Sequence, residues 1–492
     1  MNATTPATSP LEATRAAEAI PPVVLVCDLD GTLIRSDMLD ETFWAALSVD
    51  WRSFFGAVGA LARGRAALKA YLAGRVDVDP ATLPYVAPVL ERLRAHRAAG
   101  GRTALVTAAD AQVAQAIADH LGLFDEVHGS DGTNNLKGPA KAAFLADHFG
   151  AGAYDYIGDA PADLPVWAGA RAAVTVGADP ALRARVVTQG GPVTHIDQPQ
   201  PGARLALKAM RPHQWLKNVL IFLPLLAAHA LSLTTLVQTL LAFACFSLTA
   251  SGVYVLNDLL DLSADRAHPR KRRRPFASGD LPLRRGMALM PALFGAALLI
   301  ALLLGPLFLA VMLVYFVTTM AYSMWLKRRA VIDICVLAGL YTLRIVAGGA
   351  AADIPLSVWL LAFSTFFFFS LAAVKRQAEL RDTLMAGGEK AAGRGYEVGD
   401  LEIVTMMALA SGYVAVLVMT LYVNAPNVTA LYTAPQALWG ICAVLLYWIS
   451  RMVMLTHRGR MHDDPVVFAA TDRVSQISFL ACLAFFIAGA QL

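Results

Sequence analysis

Two separated sets of residues have the types and spacing that phosphate chemistry needs. In the first, the apolar run Val23–Cys27 leads into Asp28-Leu29-Asp30-Gly31-Thr32. Farther on, ALVTAAD places Thr107 at the end of a second apolar run, NLKGPAK holds Lys137 and Lys141, and YDYIGDAPAD holds Asp159 and Asp163. A carboxylate can attack phosphorus to form an aspartyl-phosphate. A second carboxylate two residues on can serve as acid and base. A hydroxyl and a lysine can hold the transferred phosphoryl group, and further carboxylates bind Mg²⁺.

The second set begins with Asn257-Asp258-Leu-Leu-Asp261-Leu-Ser-Ala-Asp265. At 100° per residue, the three acids of one continuous helix fall within about 60° of one another. Such a stripe repels itself unless a cation lies between the carboxylates. The arginine-rich run that follows, with Arg266 at its head, would clamp the phosphate that the cation holds. The competing reading is a solvated helix end balanced by a basic topology anchor. Lys327 and Asp333 come next, and Arg344 lies eleven residues past Asp333, about 20° round a helix and roughly 16 Å deeper. A charge at that depth in an apolar run is a functional hypothesis by default. Lys375 and Arg376 close a later apolar run.

The elements that must position these groups divide the chain in two. Residues 1–202 carry 16 Lys+Arg against 22 Asp+Glu, and residues 203–492 carry 25 against 15, so an acidic soluble part precedes a basic, apolar one. The soluble part alternates short apolar strands with helices, so its groups are expected at the carboxyl ends of a parallel sheet. Residues 1–20 read as a disordered leader, 21–190 as the soluble domain with a helical cap over about 37–95, 191–203 as a Gly/Pro-rich linker, and 204–492 as a membrane domain. Nine apolar runs there are long enough to span, the first at 215–231. Eight Lys/Arg lie between Arg266 and Arg285 after the second run, and the loops after runs four, six and eight are also basic, whereas those after runs one, three, five and seven hold none. The positive-inside bias predicts a multi-pass inner-membrane protein with a cytoplasmic N-terminus and its C-terminus on the opposite side. The five cysteines form no CxxC pair, which suits a reducing compartment. The positive charge beside apolar runs suits anionic lipid, and no nucleic-acid partner is expected.

NDLLDLSAD followed by HPRKRRRP resembles the first aspartate-rich motif of the UbiA superfamily of intramembrane prenyltransferases. MRPHQWLKN, AYSMWLKRRAVIDICVLAGLYTLRIVAGG and VKRQAEL look most like its decaprenyl-phosphate phosphoribosyltransferase branch. The resemblance implies an all-α domain of nine transmembrane helices. It implies a phosphorylated small-molecule donor, phosphoribosyl pyrophosphate, and a polyprenyl phosphate acceptor. Mg²⁺ on Asp258, Asp261 and Asp265 would hold the leaving pyrophosphate, with Asn257, Arg266, Lys327, Asp333, Arg344 and Lys375 at the substrates. The alternative is prenyl transfer from a polyprenyl diphosphate to an aromatic acceptor. The first set of motifs resembles the haloacid dehalogenase superfamily, an α/β Rossmann-like fold with a small cap. That resemblance makes Asp28 the nucleophile and Asp30 the acid/base. Thr107 and Lys137 become phosphate ligands, with Lys141 competing for the lysine role. Asp28, Asp30 and Asp159 are placed at Mg²⁺. The soluble domain then removes a phosphate, and the membrane domain's product is its candidate substrate.

Overall fold

In the soluble part, six short runs rich in Val, Ala, Ile and Tyr pair side by side. They are β1 (Val24–Cys27), β2 (Thr103–Asp110), β3 (Glu126–Ser130), β4 (Tyr154–Gly158), β5 (Ala172–Val176) and β6 (Val193–Ile196). All neighbours are parallel, in the order β3-β2-β1-β4-β5-β6. The order reverses between β1 and β4, the place where open α/β sheets bind ligands at their strands' carboxyl ends. This computed structural model describes residues 23–130, 135–199, 202–391, 393–429, 432–461 and 464–490. The expected leader at 1–20 lies outside them. The chain forms two units, one of Met1–Pro201, Leu262–Arg273 and Ala277–Leu283, the other of Gly202–Asp261, Arg274–Phe276 and Arg284–Leu492.

Between β1 and β2 run α1 (Met38–Val49), α2 (Ser53–Ala62), α3 (Arg65–Ala73) and α4 (Ala87–Ala98). The first three make the cap, with Ala46, Ala57 and Leu72 buried together. Val89 and Leu93 of α4 belong instead to the core on one sheet face, with α5 (Ala111–Leu121). Helices α6 (Pro139–Phe149), α7 (Leu164–Ala168) and α8 (Pro180–Val187) cover the other face. Residues 193–196, expected in the linker, form the edge strand β6, because Val193 and Ile196 continue the pairing of β5.

In the second unit, α9 (Ala203–Met210) is followed by a 3₁₀ stretch Pro212–Phe222 and α10 (Leu223–Ala227). The apolar run expected to span at 215–231 is therefore two short pieces. Proline near the start of each removes a backbone donor, and Gly348 presses on the first so closely that a Cβ there would meet the Ile221 carbonyl at 2.0 Å. The long helices are α11 (Leu233–Leu260), then, beyond the short α12 (Leu262–Ala267), α13 (Leu283–Leu304), α14 (Pro306–Met324), α15 (Ile332–Ala352), α16 (Val358–Met385) and α17 (Leu401–Val423). Past the short α18 (Pro426–Thr429) come α19 (Trp439–His457), α20 (Pro465–Thr471) and α21 (Arg473–Ala490). Among the described residues, eight helices are long and apolar enough to cross a membrane.

Candidate functional sites

Asp28 stands just past β1 and Asp159 just past β4, the adjacent strands where the sheet order reverses. The Asp28 carboxylate accepts from Lys141 Nζ at 2.9 Å and from the Leu29 N–H at 2.9 Å. Lys141 also donates to the Tyr156 hydroxyl at 3.0 Å, and that hydroxyl donates to Asp163 at 2.9 Å. Thr32 donates to Asp159 at 3.3 Å. Oxygens of Asp28, Asp159 and Asp163 lie within 4.8 Å of one another. Desolvation, then the Asp28 and Asp163 charges, push the Asp159 carboxyl well up, and Asp163 rises for the same leading reason. Three crowded hard oxygens of this kind fit Mg²⁺. Gly31, at φ +73°, is required here, because a Cβ would come within 2.2 Å of Asp159.

The Asp30 carboxylate turns to the cap and accepts from the Met38 N–H at 2.8 Å. Desolvation, then the Asp37 and Asp28 charges, push its carboxyl up to about 8. It is therefore protonated at neutral pH and able to donate. Its carboxylate stands outside the acid trio. The member that sequence reasoning left unassigned is Asp163, the second acid of GDAPAD. Thr107, fully buried at the carboxyl end of β2, accepts from the Ala109 N–H at 3.0 Å. Of the two candidate lysines, Lys141 is the one that meets Asp28. Lys137 is exposed ahead of α6, whereas Lys141 lies in its first turn, facing the sheet.

The second unit encloses a cavity of about 210 Å³ lined by residues of α11, α14, α15 and α16, with Lys217, Arg394, Asp464, Pro465 and Val466. Among the described residues, four cations (Lys217, Arg344, Lys375 and Arg394) and one acid, Asp464, face it. Asp464 accepts from Lys217 at 2.6 Å and from Lys375 at 3.0 Å. Burial opposes its ionisation, but the two ammonium groups hold it well below the usual carboxylate range. Arg344 donates to Asn218 at 2.8 Å and Tyr315 at 3.2 Å and lies 5.1 and 5.3 Å from the Tyr315 and Tyr341 ring centres. Its described partners are all neutral. Asn257 lines the same cavity and donates to Ser323 at 3.2 Å.

The other expected groups lie elsewhere. Asp333 is fully buried outside the lining. Arg376 approaches it at 2.8 Å from Nε, too bent for a hydrogen bond, and donates at 3.3 Å from Nη2, while Tyr322 donates to it at 2.8 Å. It orients Tyr322 and Arg394, which do face the cavity. Lys327 sits in the 3₁₀ turn Leu326–Arg328, off the lining. Arg266 is bound by both oxygens of Glu41, at 3.0 and 2.6 Å, and by the Ala277 carbonyl at 3.0 Å, all within the first unit. Those partners take three of the five guanidinium N–H groups. Asp258 and Asp261 belong to the second unit and Asp265 to the first. The stripe needs a continuous helix, but α11 stops at Leu260. Asp261 takes the cap position and is exposed, and Asp265 lies on α12 in the first unit. Asp258 is buried against Arg211 and, at 3.2 Å, Arg274. The residues that sequence reasoning missed are Lys217 and Arg211, both inside the quoted MRPHQWLKN, and Asp464, Arg394 and the tyrosines, which carried no motif.

Residues 218–470 match the UbiA prenyltransferase family and residues 25–167 the haloacid dehalogenase-like hydrolases. The chain is 39% identical over 92% of its length to the uncharacterized protein y4nM of Sinorhizobium fredii, covering 88% of it. It is 39% identical to the nodulation protein NoeC of Azorhizobium caulinodans, over 56% of this chain and 89% of that one. It is 34% identical to the decaprenyl-phosphate phosphoribosyltransferase of Mycolicibacterium smegmatis, again over 56% and 89%. This multi-pass membrane protein belongs to the UbiA prenyltransferase family and carries a haloacid dehalogenase-like hydrolase domain at its N-terminal end.

Proposed function

We propose that the second unit transfers a phosphoribosyl group from phosphoribosyl pyrophosphate to a polyprenyl phosphate, and that the first removes a phosphate monoester, its candidate substrate being the 5-phosphate of that product. The observation that carries the transferase reading is the cationic cavity among apolar helices, with Arg344 facing it and touching no carboxylate among the described residues. Counting the groups behind the lining, Arg376, Asp333 and Glu379, five basic side chains meet three acidic ones among the described residues. The surplus suits two anionic substrates, and the relatives named as phosphoribosyltransferases support the choice. Lys217, Lys375 and Arg344 would hold phosphates while the acceptor's phosphate oxygen attacks the anomeric carbon and pyrophosphate leaves. Positioning and charge neutralisation supply the catalysis.

In the first unit, an Asp28 oxygen attacks phosphorus, the ester P–O bond breaks, and the departing oxygen takes the Asp30 proton. Asp30 then accepts a proton from the water that attacks the aspartyl-phosphate and frees Asp28. Lys141 and Thr107 steady the phosphoryl oxygens. Mg²⁺ held by Asp28, Asp159 and Asp163 would neutralise phosphate charge in both steps. The test supplies purified protein with radiolabelled phosphoribosyl pyrophosphate and polyprenyl phosphate. A labelled lipid is expected, and Asp28→Asn should leave it carrying an extra phosphate. No labelled lipid, together with a prenylated product from an isoprenyl diphosphate and an aromatic acid, would overturn the proposal.

A further inference from the structure

Helix α2 inverts the usual arrangement of a soluble helix. Its buried residues are small, Ser53, Ala57 and Ala60, and they seat it on the cap. Its large apolar residues, Phe54, Phe55, Val58 and Leu61, point outward with the preceding Trp51, each between 46% and 65% exposed. Their spacing makes one stripe at helical period. Phe55 packs edge-on against Trp51 and Phe54, with ring centres 5.9 and 5.7 Å apart. Single exposed apolar residues are ordinary; a contiguous aromatic stripe marks an interaction surface.

We propose that α2 is an interfacial membrane-docking helix, whose aromatic stripe enters the headgroup region of an anionic bilayer and holds the cap of the phosphatase unit at the lipid surface. Three observations choose lipid. The same chain carries eight helices, among the described residues, long and apolar enough to cross a membrane, and only residues 197–202 separate β6 from α9. Exposed Arg52 and Arg63 flank the helix, no acid occurs from Trp51 to Arg63, and Arg52 lies 6.0 Å from the Trp51 ring centre. Aromatic and aliphatic residues beside arginine are the composition that settles at membrane interfaces.

The cap also reaches the reacting groups. Lys69 of α3, the helix packed on α2, lines a pocket with Asp30. That pocket shares Met38, Ala73 and Val113 with a neighbouring groove of about 400 Å³. Docking would present this groove to a phosphate ester borne on a lipid. That last step rests on the phosphatase reading above; the docking does not.

The test places the full chain in nanodiscs of anionic lipid carrying an acyl-chain diazirine and maps the photolabel by peptide. Label is expected in Trp51–Ala62 as well as in the spans, and Phe55→Asp with Val58→Asp should reduce it at least five-fold at an unchanged melting temperature. Label confined to the spans overturns docking, as does cross-linking of Trp51–Ala62 to a second copy of the chain. The labelling arm needs no turnover, so it stands apart from the phosphatase reading. In the activity arm, the double variant should lose about ten-fold on a lipid-linked phosphate ester and stay within two-fold on a soluble aryl phosphate. Equal loss on both esters, or on neither, overturns presentation of a lipid-borne substrate.

Discussion

Replacing Arg344 by Met tests whether the buried guanidinium serves a ligand or the fold. Arg344 is buried and its described partners are Asn218, the Leu340 carbonyl and Tyr315. Removing it costs those groups hydrogen bonds worth about 1 kcal/mol each, while also removing a buried cation that meets no carboxylate, a change that favours the folded state. The two terms oppose, so stability should move by no more than about 2 kcal/mol. Activity should respond differently. Truncating one partner of a buried, hydrogen-bonded charge pair costs about 2–5 kcal/mol, and about 1.4 kcal/mol is ten-fold in rate. Phosphoribosyl transfer should therefore fall by roughly 30- to 4,000-fold. Arg344→Lys, which keeps the charge but loses the planar fork, should fall between the two. The assay is labelled-lipid formation in detergent, paired with thermal unfolding of each variant. Transfer by Arg344→Met within three-fold of the parent refutes the reasoning, since the guanidinium then touches no substrate phosphate.

Lys141→Ala should reduce hydrolysis of a soluble aryl phosphate by at least about 10²-fold, the scale of a lost electrostatic contact to reacting oxygens, whereas Lys137→Ala should stay within two-fold; steady-state rates of the two variants decide it. Chelation should abolish that hydrolysis. Mg²⁺ at about 100 times its Kd should add about 2.7 kcal/mol of stability, an increment that Asp163→Asn should diminish in calorimetry. Asp125 is held below the usual carboxylate range by the Thr103 N–H and by Arg97, against an opposing burial term. A depressed folded-state pKa contributes stability that is present above the unfolded value, near 4, and lost as pH falls through the folded one. Asp125→Asn should therefore flatten the acid limb of stability against pH and leave the profile above about pH 5 unchanged, as read from melting temperatures.

What the sequence made legible was local. The DxDGT and GDxxxD signatures each fall at one strand end, so a few consecutive residues carry both the strand and the chemistry. The spans are legible because hydropathy needs no knowledge of neighbours. The lysine choice was not legible, because it depends on α6 starting at Pro139, four residues after Asn135, which puts Lys141 rather than Lys137 against the sheet. The acid stripe misled for a related reason. Its 100° arithmetic assumes that α11 continues past Leu260, and nothing in NDLLDLSAD announces the break. The cavity's pairings were the least legible: Arg211 meets Asp258 across 47 positions and Lys217 meets Asp464 across 247. No periodicity or motif relates residues so far apart, and each contact exists only because helices pack.

The two sites carry charge surpluses of opposite sign, and the sign fixes what must bind first. Around Asp28 in the soluble site, the trio of acids is met by Lys141 alone among the cations contacting Asp28. Burial first, and then that excess of negative charge, raise the Asp159 and Asp163 carboxyls. On the proposed hydrolysis, a phosphate dianion approaching it would be repelled until a divalent cation is present, so the metal would precede or accompany the substrate. In the membrane cavity the excess among the described residues is cationic, and the one lining acid among them, Asp464, already binds two of the four cations. An arriving phosphate there gains attraction from Arg344 at once and competes with Asp464 for Lys217 and Lys375. On the proposed transfer, Asp464 would set a threshold: a weakly charged lipid headgroup would not displace it, whereas a pyrophosphate bearing several charges would. Such a threshold selects substrates by anionic charge without a contact to the sugar or the lipid chain.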